Sequence, residues 1–398
     1  MSGAPKSFRR IRLGMVGGGR DAFIGGVHRI AARLDDRFTL VAGALSSDPA
    51  RARESGADLG LDPARCYDDY RKMAQREARH AEGIEAVAVV TPNHLHAQVA
   101  REFLRRGIHV ICDKPLTGTL REARALAVAA GKSRARLFVT YNYSAYPMIR
   151  QARAMIRDGL LGTLRVVRAE YAQDWLAAPL ESTGQKQAAW RTDPARSGGG
   201  GAIGDIGTHA FQLIGFVTGL RVARLAADLD SFVAGRAVDD NAHVRLDFEG
   251  GARGTIWASQ VAVGCENGLS LRIYGEKGAL SWAQEEPNRL LHTPLGEPTR
   301  VITRGGAGAG PEAVTRVPAG HPEGYLEAFA TLYREAADAI LDFPSATSTS
   351  TPTPTPTPAP PPTLPGLADG YAGVAFVDAC LRSARADGRW VVPALDPP

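Results

Sequence analysis

Short, almost uniformly apolar runs alternate with stretches of helical periodicity over the first part of the chain. "IRLGMVGGG" (11–19) is an apolar run that ends in glycines, and "HRIAARL" continues as a helix from about His28. "FTLVAGAL" (38–45), "EAVAVV" (85–90), "IHVICDKP" and "RLFVTYNY" repeat the apolar run, with the amphipathic "AQVAREFLRRG" and "TLREARALAVAAGKS" between the later ones. Continuous apolar strands separated by helices predict an α/β domain, a doubly wound parallel sheet covered on both faces. After "TYNYSAYPMIRQARAMIRDGLLG" the texture changes. "LRVVRAEYAQDWL", "VARLAADLDSFV", "HVRLDF", "ARGTIWASQVA", "LSLRIYG" and "GALSWAQ" follow one another across Gly-rich turns. That succession predicts a large, mostly antiparallel sheet in an α+β domain. The expected division is residues 1–142 and 143–398. The Thr/Pro-rich "SATSTSTPTPTPTPAPPPTLPG" (345–366) interrupts the second domain as an extended, disordered surface loop, a composition that buries no apolar surface.

The apolar runs end in residues with chemistry. Gly17, Gly19 and Ala22 give G-x-G-x-x-A directly after a strand, the pattern of a Rossmann dinucleotide-binding turn. There the backbone approaches a pyrophosphate closely and the next helix offers its N–H groups. "FIGGV" reads as an insert between that loop and its helix. The second strand ends in "ALSSDPAR", with Leu45, Ser46 and Ser47 where an NAD-binding chain usually places an acid. Ser46, Ser47 and Arg51 suit a 2′-phosphate, which favours NADP(H) over NAD(H). The same stretch also caps a helix, with Ser47 or Asp48 at the N-cap and Pro49 at the first turn. "TPNHLH" follows the third strand, and "DKP" ends the fourth, so Lys114 sits at a strand's carboxyl end, where such sheets bind ligands. The cofactor candidates are Gly17, Gly18, Gly19, Arg20, Ala22, Phe23, Ser46, Ser47, Arg51, Thr91, Pro92, Asn93, His96, Asp113, Lys114 and Asn142.

Composition narrows the classes further. Net charge is +5, spread over Arg-bearing helices without a basic block, which suits an anionic cofactor and gives no footprint for nucleic acid. Cys66, Cys112, Cys265 and Cys380 are scattered without C-x-x-C pairing, as in buried residues of a reduced compartment. "MSGAPKSFRR" lacks the apolar core of a signal peptide, and no apolar run of membrane-spanning length follows. The expectation is a cytoplasmic protein without a membrane partner.

In the second domain, "GGGGAIGDIGTHAFQLIGFVTG" (198–219) places glycines before a helix whose first turn carries Asp205 and His209. A spacing of four puts both on one helix face. Singly they read as a helix cap and a core histidine; together they suggest acid–base work, since imidazole titrates near neutrality. A zinc site needs a third ligand, and none stands nearby in sequence; His94 and His96 read better as part of the cofactor loop. No metal is expected.

Taken in order, the glycine loop, "TPNHLH", "DKP" in place of the common Glu-Lys-Pro, "WRTDPARSGGG" and "GDIGTH" resemble the glucose–fructose oxidoreductase/inositol dehydrogenase family, Gfo/Idh/MocA. The resemblance covers nearly the whole chain. It implies a Rossmann domain joined to a substrate-binding domain whose open sheet mediates oligomers, a dimer or tetramer. It also implies a catalytic set of Lys114, Asp205 and His209, and hydride exchange between NAD(P) and a secondary alcohol of a sugar, glycoside or cyclitol. In that chemistry His209 takes the hydroxyl proton, Lys114 stabilises the alkoxide and Asp205 fixes the substrate or the imidazole. Lys114, Tyr141, Trp175, Trp190, Arg191, Asp205 and His209 are the substrate-contact candidates, with Lys186 and Asn142 nearby. Asp113 is one methylene shorter than the usual Glu. The alternatives are a glycoside hydrolase that oxidises its substrate transiently and a non-catalytic nucleotide-binding regulator.

Overall fold

The structure is a computed structural model that describes residues 9–310, 314–342 and 363–398. Five strands form the first sheet: β1 (Ile11–Gly17), β2 (Phe38–Ala44), β3 (Ala86–Val90), β4 (His109–Cys112) and β5 (Leu137–Val139). Their order is β2-β1-β3-β4-β5, with every pairing parallel. The crossovers carry α1 (Phe23–Leu34), α2 (Pro49–Asp58), α3 (Tyr70–Glu77), α4 (Asn93–Leu104) and α5 (Leu120–Gly131). Every residue of β3 and β4 is buried, which is why these strands read as unbroken apolar runs. The order reverses between β1 and β3, so the ligand crevice opens at the carboxyl ends of those two strands.

Helix α1 starts at Phe23, so "FIGGV" is its first turn and not an insert. A Cβ at Gly25 would lie 2.4 Å from the Gly18 Cα and 2.5 Å from its carbonyl oxygen. Gly25 therefore occupies the close-packing position of the glycine motif, three residues beyond Ala22. "RLFVTYNY" is also shorter as a strand than expected. The N–H groups of Tyr141 and Asn142 turn back to the carbonyls of Val139 and Thr140 at 2.9 and 2.8 Å, and a 3₁₀ turn takes over from Asn142 to Ala145.

The second sheet holds eight strands. These are β6 (Leu164–Ala172), β7 (Val222–Asp230), β8 (Asn241–Phe248), β9 (Arg253–Ser259), β10 (Gly268–Gly275), β11 (Gly278–Ala283), β12 (Arg289–Pro294) and β13 (Arg300–Thr303). The order is β13-β12-β11-β10-β6-β9-β8-β7, antiparallel except for the β6–β9 pair. On β6, Val167, Ala169 and Tyr171 face the core while Val166 and Arg168 are exposed. One face is covered by α6 (Pro147–Arg157) and α9 (Thr208–Thr218). Two short helices, α7 (Lys186–Arg191) and α8 (Pro194–Ser197), lie between β6 and α9 in sequence.

Helices α10 (Tyr325–Leu341) and α11 (Leu367–Ala384) tie the sheets together. α10 packs on α1, with Arg37 donating to Asp338 at 2.7 Å, and α11 lies against α5, β5 and β7. Residues 345–362 of the Thr/Pro-rich run lie outside the described residues. Its last four belong to the fold: Leu364 is buried, the Pro365 carbonyl accepts from Val139 N–H at 3.0 Å, and Gly366 bridges to Phe138. Cys112 and Cys380 are buried, whereas Cys66 and Cys265 are partly exposed.

Because Gly25 meets backbone and not a yielding side chain, Gly25→Ala should cost about 1–3 kcal/mol of stability, the scale of overpacking. Urea denaturation checks this, and an unchanged midpoint would contradict the α1–loop contact.

Candidate active site

Strand β4 ends at Cys112, and the next two residues are charged. The Asp113 carboxylate accepts from Thr140 Oγ1 at 2.9 Å and lies 3.8 Å from His28 Nε2. Burial pushes this carboxyl up, but His28 and Lys114 outweigh it and hold Asp113 well below the usual carboxylate range. Lys114 Nζ donates to Asp205 Oδ1 at 2.7 Å and to the Asp205 carbonyl at 2.8 Å. An ammonium has three N–H bonds, so one remains for another acceptor.

Asp205 arrives from the second domain in a π-helical turn, Ile203–Gly207, that runs into α9. The expectation of Asp205 and His209 in one regular helical turn is corrected accordingly. Asp205 is also not a helix cap: its Oδ2 accepts from Arg191 Nε at 3.2 Å and Gln260 Nε2 at 3.0 Å. The turn is held by Asp239, whose carboxylate accepts the Gly201 and Ile203 N–H groups at 2.7 Å each. Burial raises Asp239 to about 6. Burial also pushes Asp205 up, but Lys114 and Arg191 reverse the shift and keep it ionised far below its ordinary range. Only about a fifth or less of either side chain in the Lys114–Asp205 pair is exposed, 15% and 21%. Deleting the Asp205 carboxylate leaves the Lys114 ammonium without its charged partner, at about 3 kcal/mol or more.

His209 is the second residue of α9 and is buried among tyrosines. Its ring stands edge-on to Tyr143 at 4.8 Å and to Tyr141 at 5.7 Å, with Tyr171 at 6.2 Å. Nδ1 is buried without a hydrogen-bond partner, which leaves Nε2 as the nitrogen with access to the cleft. Burial, then the Lys114 ammonium, pushes the imidazolium pKa well below its usual value, against the pull of Asp205 and Asp113. The ring is neutral at neutral pH and ready to accept a proton.

Lys114, Asp205 and His209 meet in an interdomain cleft of about 1050 Å³. Along one limb lie Gly17, Gly18, Gly19, Arg20, Ala22, Phe23, Ser46, Ser47, Arg51, Thr91, Pro92, Asn93, Asp113 and Asn142. Trp175, Lys186, Trp190 and Arg191 line the other, with the Arg191 guanidinium 4.4 Å from the Trp190 ring centre. Two expectations fail on geometry. His96 is 1% exposed, and its ring nitrogens lie 2.8 Å from the Pro115 and Thr91 carbonyls, so it braces the strand ends instead of lining the cleft. Tyr141 is fully buried behind His209, with its hydroxyl 2.9 Å from Thr208 Oγ1.

Tyr143, two residues on, lines the cleft instead, and the sequence reading missed it together with Tyr171, Gln173, Asn267 and Gln284. These form one chain of neutral hydrogen bonds. Tyr143 and Tyr171 hydroxyls are 2.5 Å apart, Asn267 Oδ1 accepts from Tyr171 and Gln173 at 2.8 Å, and Asn267 Nδ2 donates to Gln284 at 3.0 Å. Strand alternation places Tyr171 on the inner face of β6, but only tertiary pairing brings Asn267 and Gln284 to it.

The limb with the glycine loop fits an anionic dinucleotide. Gly17 adopts φ +81°, and a Cβ there would meet the Val90 carbonyl at 2.7 Å. Helix α1 has Ala22 at its N-cap, makes no side-chain cap and carries no acid in its first turn. Its leading N–H groups are thus open to a phosphate.

Residues 11–141 match the model of an oxidoreductase family with an NAD-binding Rossmann fold, and residues 149–281 match the GFO/IDH/MocA C-terminal domain. The chain belongs to the GFO/IDH/MocA family. It is similar to an oxidoreductase from Sinorhizobium meliloti, with 54% identity, TM-score 0.84 and coverage of 96% of this chain and 99% of that one. An inositol dehydrogenase homolog from Azotobacter vinelandii, complexed with NADH and myo-inositol, is 39% identical with TM-score 0.86 over 96% and 98% of the two chains. The levoglucosan dehydrogenase of Pseudarthrobacter phenanthrenivorans is 27% identical over 71% of this chain and 76% of that protein.

In this GFO/IDH/MocA chain the buried imidazole has a measurable consequence. A depressed pKa keeps the base form populated at lower pH. An NMR titration of His209 should find it uncharged from about pH 6 to 8. A midpoint at or above the ordinary value of about 6.5 would contradict the site's electrostatics.

Proposed function

We infer that this protein is an oxidoreductase that exchanges a hydride between a nicotinamide dinucleotide and a secondary alcohol of a sugar or cyclitol. The observation that carries the reading is the convergence of Lys114, from the first sheet, with Asp205 and His209, from the second domain, in one cleft that the glycine loop also lines. When bound, the nicotinamide takes up or returns the hydride. The chain's own residues handle the proton and the charge. Neutral His209 receives the hydroxyl proton at Nε2 during oxidation and returns it during reduction. The free N–H of Lys114 donates to the substrate oxygen and stabilises negative charge as it develops there. Asp205 holds the ammonium in place and, with Arg191 and Gln260, is itself held.

The neutral chain Tyr171, Gln173, Asn267 and Gln284 supports an uncharged polyhydroxy substrate, because amides and phenols match hydroxyls as donors and acceptors. The relatives act on or bind such molecules, myo-inositol and levoglucosan. For the cofactor we favour NAD(H) over the NADP(H) expected from Ser46, Ser47 and Arg51. Arg51 is already paired, and the Azotobacter relative is complexed with NADH. Self-association is proposed through the outer face of the second sheet, where exposed Val166 and Tyr274 stand opposite each other on β6 and β10. No helix among the described residues is long and apolar enough to cross a membrane, and a cytoplasmic setting suits a nicotinamide enzyme with four unpaired cysteines.

Screening sugars, inositols and anhydrosugars for reduction of bound nicotinamide should find a turnover substrate. On it, Lys114→Ala or His209→Ala should lower kcat by about 10² or more, the usual scale for acid–base groups, with dinucleotide affinity changing far less for His209→Ala. Retention of more than about half of kcat by His209→Ala would overturn its assignment as the base, since loss of an acid–base group costs orders of magnitude.

A further inference from the structure

We propose that Asp21, in the glycine loop, sets the choice between the two nicotinamide dinucleotides by holding Arg51 away from a 2′-phosphate. The inference rests on the cofactor reading above and deepens it. Arg51 stands in the first turn of α2, just past the tip of β2, and lines the cleft together with Ser46 and Ser47. In a doubly wound fold this is the ribose end of the dinucleotide, where an arginine accommodates a 2′-phosphate. Here its Nη2 donates to Asp21 Oδ2 at 2.6 Å and to the Arg20 carbonyl at 3.1 Å.

Asp21 adopts φ +62°, as Asp36 and Asp387 adopt φ +55° and +54°, a turn conformation that Asp enters more readily than most side chains. Two observations point to a role for its pair with Arg51. The Asp21–Arg51 pair is too exposed to be kept for stability, with 78% of the Asp21 side chain and 44% of the Arg51 side chain accessible. Finally, the neighbouring guanidinium is committed as well: Arg20 pairs with Glu54, and with Asp58 at 2.5 and 2.9 Å. Arg20 and Arg51 are thus both committed to carboxylates. A ribose hydroxyl needs neither guanidinium, whereas a 2′-phosphate has to compete with Asp21 for Arg51.

The test is calorimetric titration of NAD⁺ and NADP⁺ into the full chain, its Asp21→Asn and Asp21→Gly variants, and the double variant Asp21→Gly/Arg51→Ala. Glycine suits the positive φ, so the fold is preserved in that variant. The wild type should favour NAD⁺ by at least about tenfold, and either single variant should tighten NADP⁺ by about tenfold, the effect of one freed charge-assisted contact. NAD⁺ affinity should move by less than about threefold, and removing Arg51 should abolish the gain, as a coupled pair requires. A wild type that prefers NADP⁺, single variants with an unaltered preference, or a gain that survives loss of Arg51 would each overturn the proposal. Binding of neither dinucleotide would instead overturn the cofactor reading itself, and this inference with it.

Discussion

The contact on which the site depends is the pairing of Lys114 Nζ with Asp205 across the boundary between the two sheets. A lysine at the tip of a buried strand is costly without an acceptor, and an aspartate in a π-turn packed against α9 is costly without a cation. Each meets the other's requirement, and in doing so they fix the distance between the cofactor limb and the substrate limb. Arg191 and Gln260 complete the carboxylate's hydrogen bonding, and Asp239 anchors the turn that carries it. Burial first, and then the same ammonium, lowers His209's affinity for a proton, against the pull of Asp205. The ion pair therefore sets the geometry, and burial of the imidazole sets its protonation state.

The two ends of the cleft are built from different chemistry. At the substrate end a hydrogen-bonded chain of neutral amides and phenols stands with Lys186 and Arg191, a set of donors and acceptors that suits many hydroxyls. At the ribose end the groups are ionised and mutually paired. Between them lies the glycine loop, which leads into α1, whose open first N–H groups would hold the phosphates of a bound dinucleotide.

Much of this was legible in the chain itself. The all-apolar β3 and β4, the glycine turn and the alternating strands of the second sheet follow directly from periodicity, because burial on two faces or one leaves different patterns. Lys114, Asp205 and His209 were legible as candidates, since charged residues after an apolar run or a glycine run stand out. What was not legible depends on tertiary placement. The start of α1 was misjudged because Gly25 and Gly26 look like loop, while only the close pass of Gly18 shows why Gly25 belongs in a helix. Tyr141 and Tyr143 differ by two positions, and a 3₁₀ turn decides which faces the cleft. His96 carries no local sign that its ring is buried between the Pro115 and Thr91 carbonyls. Asn267 and Gln284 come from strands far along the chain, and no spacing rule links them to β6.

Net hydride transfer with His209 as the proton acceptor is the reaction proposed for this cleft. The most direct test uses the best turnover substrate labelled with deuterium at the carbinol carbon. One reduced nicotinamide should form for each ketone, with the deuterium on the nicotinamide ring and both signals lost together in His209→Ala. Consumption of substrate without accumulation of reduced nicotinamide, with the label returned to a hydrolysed product, would contradict it.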